Sequence, residues 1–213
     1  YVADGIFRTQ DEVDNHVDQD GKAVGRIRYK NVYEEDGKNE INAMDQTWIG
    51  KPYPDFAYGL NVNLAYQNFD LSFFLQGVQG VDIVNGVKYQ TDFWSVDDVN
   101  SNKGRRLLNA FHPITNPTSD IPMLQSTNIN NEGRFSTYFV EDGSYFKLRN
   151  LQIGYTLPSS VLNKIKLEKL RFYISGQNLW TIHSLNYTGV DPENPGFGYP
   201  IPMTCTIGLN LTI

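Results

Sequence analysis

The groups in this sequence that could do chemistry are few and scattered. Its three histidines, His16, His112 and His183, have no second histidine or cysteine at ligand spacing, so they read as solvated loop residues rather than metal ligands or general bases. Carboxylates fall close together at Glu34, Glu35 and Asp36, at Asp97 and Asp98, and at Asp191 with Glu193. Two carboxylates are the machinery of glycoside hydrolysis, but adjacent acids in Gly- and Asn-rich stretches read as solvated surface. GxSxG, the phosphate-cradling GxxxxGK[ST] and HExxH are all missing from the sequence, which leaves the hydrolase and nucleotide-hydrolase templates empty. Residues 31–45, NVYEEDGKNEINAMD, place Glu34, Asp36 and Gly37 as a calcium loop would. Val32 stands where its first side-chain oxygen belongs and Ala43 where a bidentate Glu should close it, so a solvated turn is expected. The single cysteine, Cys205, excludes an internal disulfide and a CxxC site and reads as a small apolar residue on a strand face. No catalytic residue, metal ligand or cofactor is assigned, and the sequence is not that of an enzyme.

Binding chemistry is better represented than catalysis. Trp48, Tyr53, Phe93, Trp94, Trp180, Tyr187, Phe197 and Tyr199 fall in stretches read as loops, where aromatic rings can stack on sugars, grip a protein or anchor at a membrane interface. A nucleic-acid partner is excluded by the formal charge of -6 and by a longest basic run of only Lys103 to Arg106, since phosphate neutralisation needs clustered cations.

The elements that position these groups are strands. Aromatics make up 13% of the residues and charged residues only 20%, yet the mean hydropathy is -0.42; strands with one apolar and one wet face reconcile the two. Residues 56–77 read as a hairpin: Tyr58, Leu60, Val62, Leu64 and Tyr66 alternate with Gly59, Asn61, Asn63 and Ala65. After a turn at Gln67-Asn68, Phe69, Leu71, Phe73 and Leu75 alternate with Asp70, Ser72, Phe74 and Gln76. A third strand over 144–156 changes parity near Arg149, which predicts a bulge. Residues 157–168 predict a helical turn capped by serine, residues 169–179 a fourth strand, and residues 203–213 a fifth in which Met203, Cys205, Ile207, Leu209, Leu211 and Ile213 form an unbroken apolar row. No apolar run reaches the 18 residues a transmembrane helix needs, which leaves transmembrane strands untouched.

Short connections at 67–68 and 157–168 alternate with long polar ones at 1–55, 78–143 and 180–202. Outer-membrane barrels have short periplasmic turns and long extracellular loops, and with the last strand running inward every short turn falls on the periplasmic side. The expected fold class is all-β, a transmembrane antiparallel β-barrel, of which 1–213 supplies the C-terminal part, about five strands. Five strands close no barrel, and Tyr1-Val2-Ala3-Asp4-Gly5 reads as mid-protein sequence. Upstream strands are therefore expected outside this stretch. A soluble β-sandwich that binds glycans has the same period-2 pattern and remains open at this point; it would bury the apolar face against a second sheet.

Three stretches resemble SusC/RagA-type TonB-linked outer-membrane transporters: GRIRYKNV followed by DQTWIGKPYPDFAYGLNVNLAYQNFDLSFFLQGVQG, then VEDGSYFKLRNLQIGYTLP, then FYISGQNLWTIHSLNYTGVDPE with the ending YPIPMTCTIGLNLTI. The resemblance implies a plugged barrel of about 22 strands in the cell outer membrane, a SusD-like surface lipoprotein partner, energising by TonB through the missing N-terminal part, and import of glycan or peptide substrate. It also implies that Ile207, Leu209, Leu211 and Ile213, on a closing strand in contact with outer-membrane lipid, carry the signal read by the insertion machinery. Two departures stand out. The family's Asp-rich loop is degraded to NVYEEDGKNEIN, and the usual terminal aromatic is replaced by Ile213.

Overall fold

The computed structural model describes residues 1–34, 37–93, 103–124, 132–196 and 198–213. Glu35, Asp36, Asp97, Asp98, Trp94, Phe197 and the side chain of Phe93, singled out above, lie outside the described residues. Among the described residues the strands, in chain order, are β1 (Ala3–Ile6), β2 (Ile27–Tyr29), β3 (Phe56–Tyr66), β4 (Phe69–Gln79), β5 (Asp82–Val84), β6 (Val140–Asp142), β7 (Tyr145–Thr156), β8 (Lys169–His183) and β9 (Thr204–Thr212). Three short helices, α1 (Gln10–Asn15), α2 (Gly86–Phe93) and α3 (Ser159–Ile165), separate some of them. The chain divides into two compact units.

One unit, built mainly from Tyr1–Lys51 and Ile83–Glu141, occupies stretches read from the sequence as long polar loops. That reading is corrected here. These stretches have a core of their own: Ile6, Phe7, Val13, Ile27, Tyr29, Phe111 and Phe139 are all buried. Strand β1 pairs antiparallel with β2, and α1 is capped by Thr9, whose side chain accepts from the Glu12 amide. Arg26 and Glu132, 2% and 3% exposed, form an ion pair at 2.8 Å, and the same carboxylate accepts the Ile27 amide at 2.9 Å.

The other unit, Pro52–Asp82, Asp142–Asn194 and Gly198–Ile213, is one antiparallel sheet in the order β3-β4-β7-β8-β9. Its register keeps all apolar rows on one face. Val62 stands beside Phe73, Phe73 beside Leu151, Leu151 beside Gly176 and Gly176 beside Cys205, and the rows on either side repeat the pattern. The turn after β3 works because Gln67 adopts a left-handed φ of 52°. The predicted bulge is present: the β7 register slips on both sides of Arg149, and opposite it β8 carries the extra residues Asn178 and Leu179. Strand β8 runs four residues past the predicted end: Gly176 and Asn178 (φ 51°) interrupt the apolar alternation in the sequence, and Trp180 and Ile182 resume the apolar row on the same parity as Phe172 and Ile174. Trp180 and His183 are therefore strand residues, not loop residues. The helical turn is α3, but Pro158, not serine, occupies its cap position and no side chain caps it; Ser159 and Ser160 already lie inside the helix.

All short connections lie at one end of this sheet. There the Thr156 amide donates to Asn68, the Leu157 amide to Leu170 and the Glu168 amide to Thr212. At the other end Asp55 donates to Gln79 and Ser184 to Ser144, and from that end the long connections depart.

Candidate functional site: a two-faced sheet and an ion cluster on its polar face

The apolar face of the five-stranded sheet is open. Leu60 is 54% exposed, Leu64 56%, Ile153 51%, Ile174 60% and Ile207 81%, so within its unit no second layer covers this face, as a sandwich would require. Aromatic rings gather near its two ends. Tyr66, Phe69, Tyr155 and Phe172 lie at the short-turn end, with Phe69 and Tyr155 4.7 Å apart. Phe56, Tyr58, Phe146 and Trp180 lie toward the other, linked by ring contacts of 5.6 to 6.0 Å. Mainly aliphatic rows fill the space between, with Phe73 the one aromatic ring among them. Tyr58 and Tyr66 are eight residues apart on β3, about 27 Å along a strand, or roughly 20 Å of depth at the tilt of barrel strands. That suits an apolar band roughly 25 Å tall between aromatic girdles. Tyr58 lies flat over Gly77, where a Cβ would sit 2.1 Å from its ring.

The residues expected to close the sheet fall on its β9 edge. Ile207, Leu209 and Leu211 occupy the apolar face, and Ile213 lies one residue beyond the strand end. All four are at least 49% exposed. Cys205 lies in the same apolar row and is a free, exposed thiol.

The opposite face is polar. Asn61, Asn63, Ser72, Phe74 and Asn150 line an open concavity of about 440 Å³. Near the short-turn end Arg171 grips Asp70 with two bonds, Nε to Oδ1 at 2.9 Å and Nη2 to Oδ2 at 2.5 Å. The pair bridges over Gly154 of the intervening strand, where a Cβ would lie 2.4 Å from Arg171 Nη2.

Toward the long-connection end lies the densest charge arrangement on the sheet. Lys147 of β7, 2% exposed, donates to Asp191 Oδ1 at 2.8 Å and to Glu193 Oε2 at 2.6 Å. Arg149 pairs with Glu193 Oε1 and also donates to Gln76 Oε1 at 2.7 Å, and the Tyr145 hydroxyl donates to Glu193 Oε1 at 2.6 Å. Burial by itself would raise the Glu193 carboxyl, but bonds from Lys147 and Tyr145 and the charges of Lys147 and Arg149 outweigh it and hold the group below the ordinary carboxylate range. Asp191 and Glu193 were read from the sequence as solvated surface, and that reading is wrong. The ion cluster was missed because its halves lie 44 and 46 residues apart. The available signal was a lysine and an arginine on a strand otherwise free of charge, since such cations need partners when buried.

The other candidates are structural. Asp45, at the end of the stretch compared with a calcium loop, is 1% exposed and accepts the amides of Val32, Tyr33 and Asn42 at 2.8 to 3.1 Å. His112 is exposed, and its Nδ1 accepts from the amides of Ile114 and Thr115. His16 is not solvated as expected: its ring packs edge-on against Phe7 at 5.1 Å, and burial, ahead of the cations Arg28 and Lys22, lowers its pKa. Of the aromatics read as loop residues, Trp48, Tyr53 and Tyr199 are exposed and Tyr187 is buried.

Comparison with known proteins agrees with this geometry. No family model matches the chain. TonB-dependent receptor P3 of Formosa agariphila is 37% identical over 192 residues, which cover 83% of this chain and 18% of that protein. TonB-dependent receptor SusC of Bacteroides thetaiotaomicron is 30% identical over 206 residues, 86% of this chain and 19% of that one. The RagAB peptide importer in its closed-closed state shares the fold over 100% of this chain and 22% of its own, with a TM-score of 0.70 at 24% identity; its open-open state gives 0.69 at 22% identity over the same shares. The chain thus spans about a fifth of the length of the proteins it matches. In sequence over most of its length, and in the strand order and two-faced sheet just described, the chain belongs with the TonB-dependent receptors of the SusC/RagA type.

Proposed function

We propose that this chain is the C-terminal part, residues 1–213, of the barrel of an outer-membrane nutrient transporter, with plug and upstream strands supplied by the rest of the protein. The observation that carries the reading is the sheet's continuous, exposed apolar face, bounded by aromatics and set against a hydrogen-bonding opposite face. In water such a face is an aggregation surface. In a bilayer it is the lipid contact, and the polar face with Asn61, Asn63, Gln76 and Gln152 becomes the lumen wall.

On this reading β9 is the closing strand, and Ile207, Leu209, Leu211 and Ile213 serve both as lipid contact and as the insertion machinery's signal. A SusD-like lipoprotein covers the extracellular side, TonB acts through the missing N-terminal part, and the cargo is a glycan or peptide. RagAB, a peptide importer of the same fold, and SusC support the transport role. The test is expression of the full-length gene followed by membrane fractionation. The protein should appear in the outer membrane, need detergent for extraction and run faster on gels when unheated; recovery as soluble protein would end the proposal.

A further inference from the structure

Residues 184–194 leave β8 at the long-connection end, where a free extracellular loop would extend away from the wall. Instead their acids meet side chains of β7 that stand on the polar face. Lys147, Arg149 and Tyr145 all point there, and Arg149 also reaches Gln76 of β4 on that face. The segment therefore folds back over the sheet.

Two features make it a formed piece rather than a slack loop. It is braced internally: the Tyr187 hydroxyl donates to the Asp191 carbonyl at 2.9 Å, the Glu193 amide to Asp191 Oδ1 at 3.0 Å, and the Asn194 amide to the Asp191 carbonyl at 2.9 Å. The Tyr187 ring is 4% exposed, meets His183 edge-on at 5.4 Å and lies across Gly189, where a Cβ would sit 2.1 Å from its oxygen. The wall is shaped to receive it. Strict alternation would send either Arg149 or Asn150 to the apolar face; the double bulge at Arg149 and Asn178 lets Arg149 turn to the acids while Leu151, Ile153 and Tyr155 keep their row.

We propose that residues 184–194 form an inward-folded strap over the lumen wall, that Lys147 is the positioning residue that holds it there with Arg149 as a second clamp, and that the strap narrows the path of the solute. The word lumen rests on the barrel reading given above; the fold-back does not. Lys147 cannot stay buried without its two carboxylates, so strap and wall separate only if the whole cluster opens, and the latch has two states. With the strap closed, its exposed residues Leu185, Asn186 and Val190 are the ones a passing solute meets.

The test uses the full-length protein in outer-membrane vesicles with Cys205 replaced by serine. Cysteines at Lys147→Cys and Asp191→Cys should join, directly or through a short bifunctional thiol reagent, whereas Leu148→Cys with Asp191→Cys, on opposite faces, should not. In otherwise native protein Lys147→Met should raise the rate of proteolytic cleavage within 184–194 on the order of a hundredfold and raise conductance in planar bilayers. If Lys147→Met fails to assemble, Asp191→Asn, which leaves Glu193 on the lysine, gives the same readouts with a smaller rise. An outer-membrane protein with no 147–191 cross-link, or with unchanged cleavage in the assembled variant, overturns the strap while leaving the barrel standing. Absence of the protein from the outer membrane overturns the barrel reading itself, and the narrowing of a lumen with it.

Discussion

Val62 is the position where the membrane and soluble readings disagree most sharply. It lies four residues from Tyr58 and four from Tyr66 on β3, so at about 3.4 Å per residue and a tilt near 40° it sits roughly 10 Å of depth from each aromatic girdle, close to the bilayer midplane. An arginine facing lipid at that depth costs about 2–4 kcal/mol, and the cost falls to about 0–1 kcal/mol near the interfaces. Val62→Arg should therefore lower the folded-to-unfolded ratio roughly a hundredfold, whereas Asn61→Arg, one residue away on the exposed opposite face, should change stability by no more than about 0.5 kcal/mol. The assay is a urea titration of the full-length protein folding into phospholipid vesicles, with the folded fraction read from the mobility of unheated samples. On a water-facing sheet the same Val62→Arg change would cost about as little as the control. Equal losses for Val62→Arg and Asn61→Arg, or no loss for either, would refute the assignment of faces.

Three other outcomes follow from particular contacts. Gly154→Ala forces Arg171 and Asp70 apart by intruding at 2.4 Å; because Asp70 is 35% exposed the bridge is worth only about 1 kcal/mol. Adding Arg171→Met to Gly154→Ala should cost much less than the sum of the two in the same titration. Arg26→Met strands the 3% exposed Glu132 carboxylate and should loosen the first unit by about 3–5 kcal/mol, read as faster hydrogen exchange at the Ile27 amide that Glu132 accepts; unchanged exchange there would show that the pair does not hold the unit. Glu193 is held below its ordinary range in the folded state, so its contribution is fully present above the unfolded value of about 4.3 and is lost as pH falls below it. Cleavage within 184–194 should accordingly accelerate only on acidification below that point, and acceleration on raising the pH from 7 to 9 would contradict the cluster's electrostatics.

The parts of the fold that were legible are those written locally. Strands β3, β4, β7 and β9 announce themselves because each alternates residue by residue, and the parity change at Arg149 exposes the bulge. Past Gln177 the same signal fades, because Gly176 and Asn178 stand at the two alternating positions between Ile174 and Trp180 and break the apolar row, so Trp180 reads as a loop aromatic. The first unit was hidden for a different reason. Its strands are three or four residues long, too short for a period, and its core is assembled by contacts such as Arg26 with Glu132, 106 residues apart. The ion cluster was hidden likewise: DPE in a Gly- and Asn-rich stretch has every local mark of solvated surface, and only the register of β7 brings Lys147 beneath it.

The two units satisfy the hydrophobic requirement in opposite ways. In the first, Phe7 and Tyr29 are 0% exposed and the charges that cannot reach water are paired, which is how a water-soluble core is built. In the second, hydrogen-bonded ladders join five long strands, yet the aliphatic rows from Leu60 to Leu211 face outward with nothing from their own unit upon them. Sheet propensity and ladder bonds set the register of such a sheet but offset little of the conformational entropy of ordering it, so apolar burial must come from outside the unit. A second sheet would supply it for a sandwich, but a sandwich core gives aromatic rings no reason to group at two depths with mainly aliphatics between. Lipid supplies burial with that layering, since rings with one wet edge gather at both interfaces and aliphatics fill the interior. The depth ordering of the exposed face, more than its apolarity, is therefore what ties this sheet to a membrane.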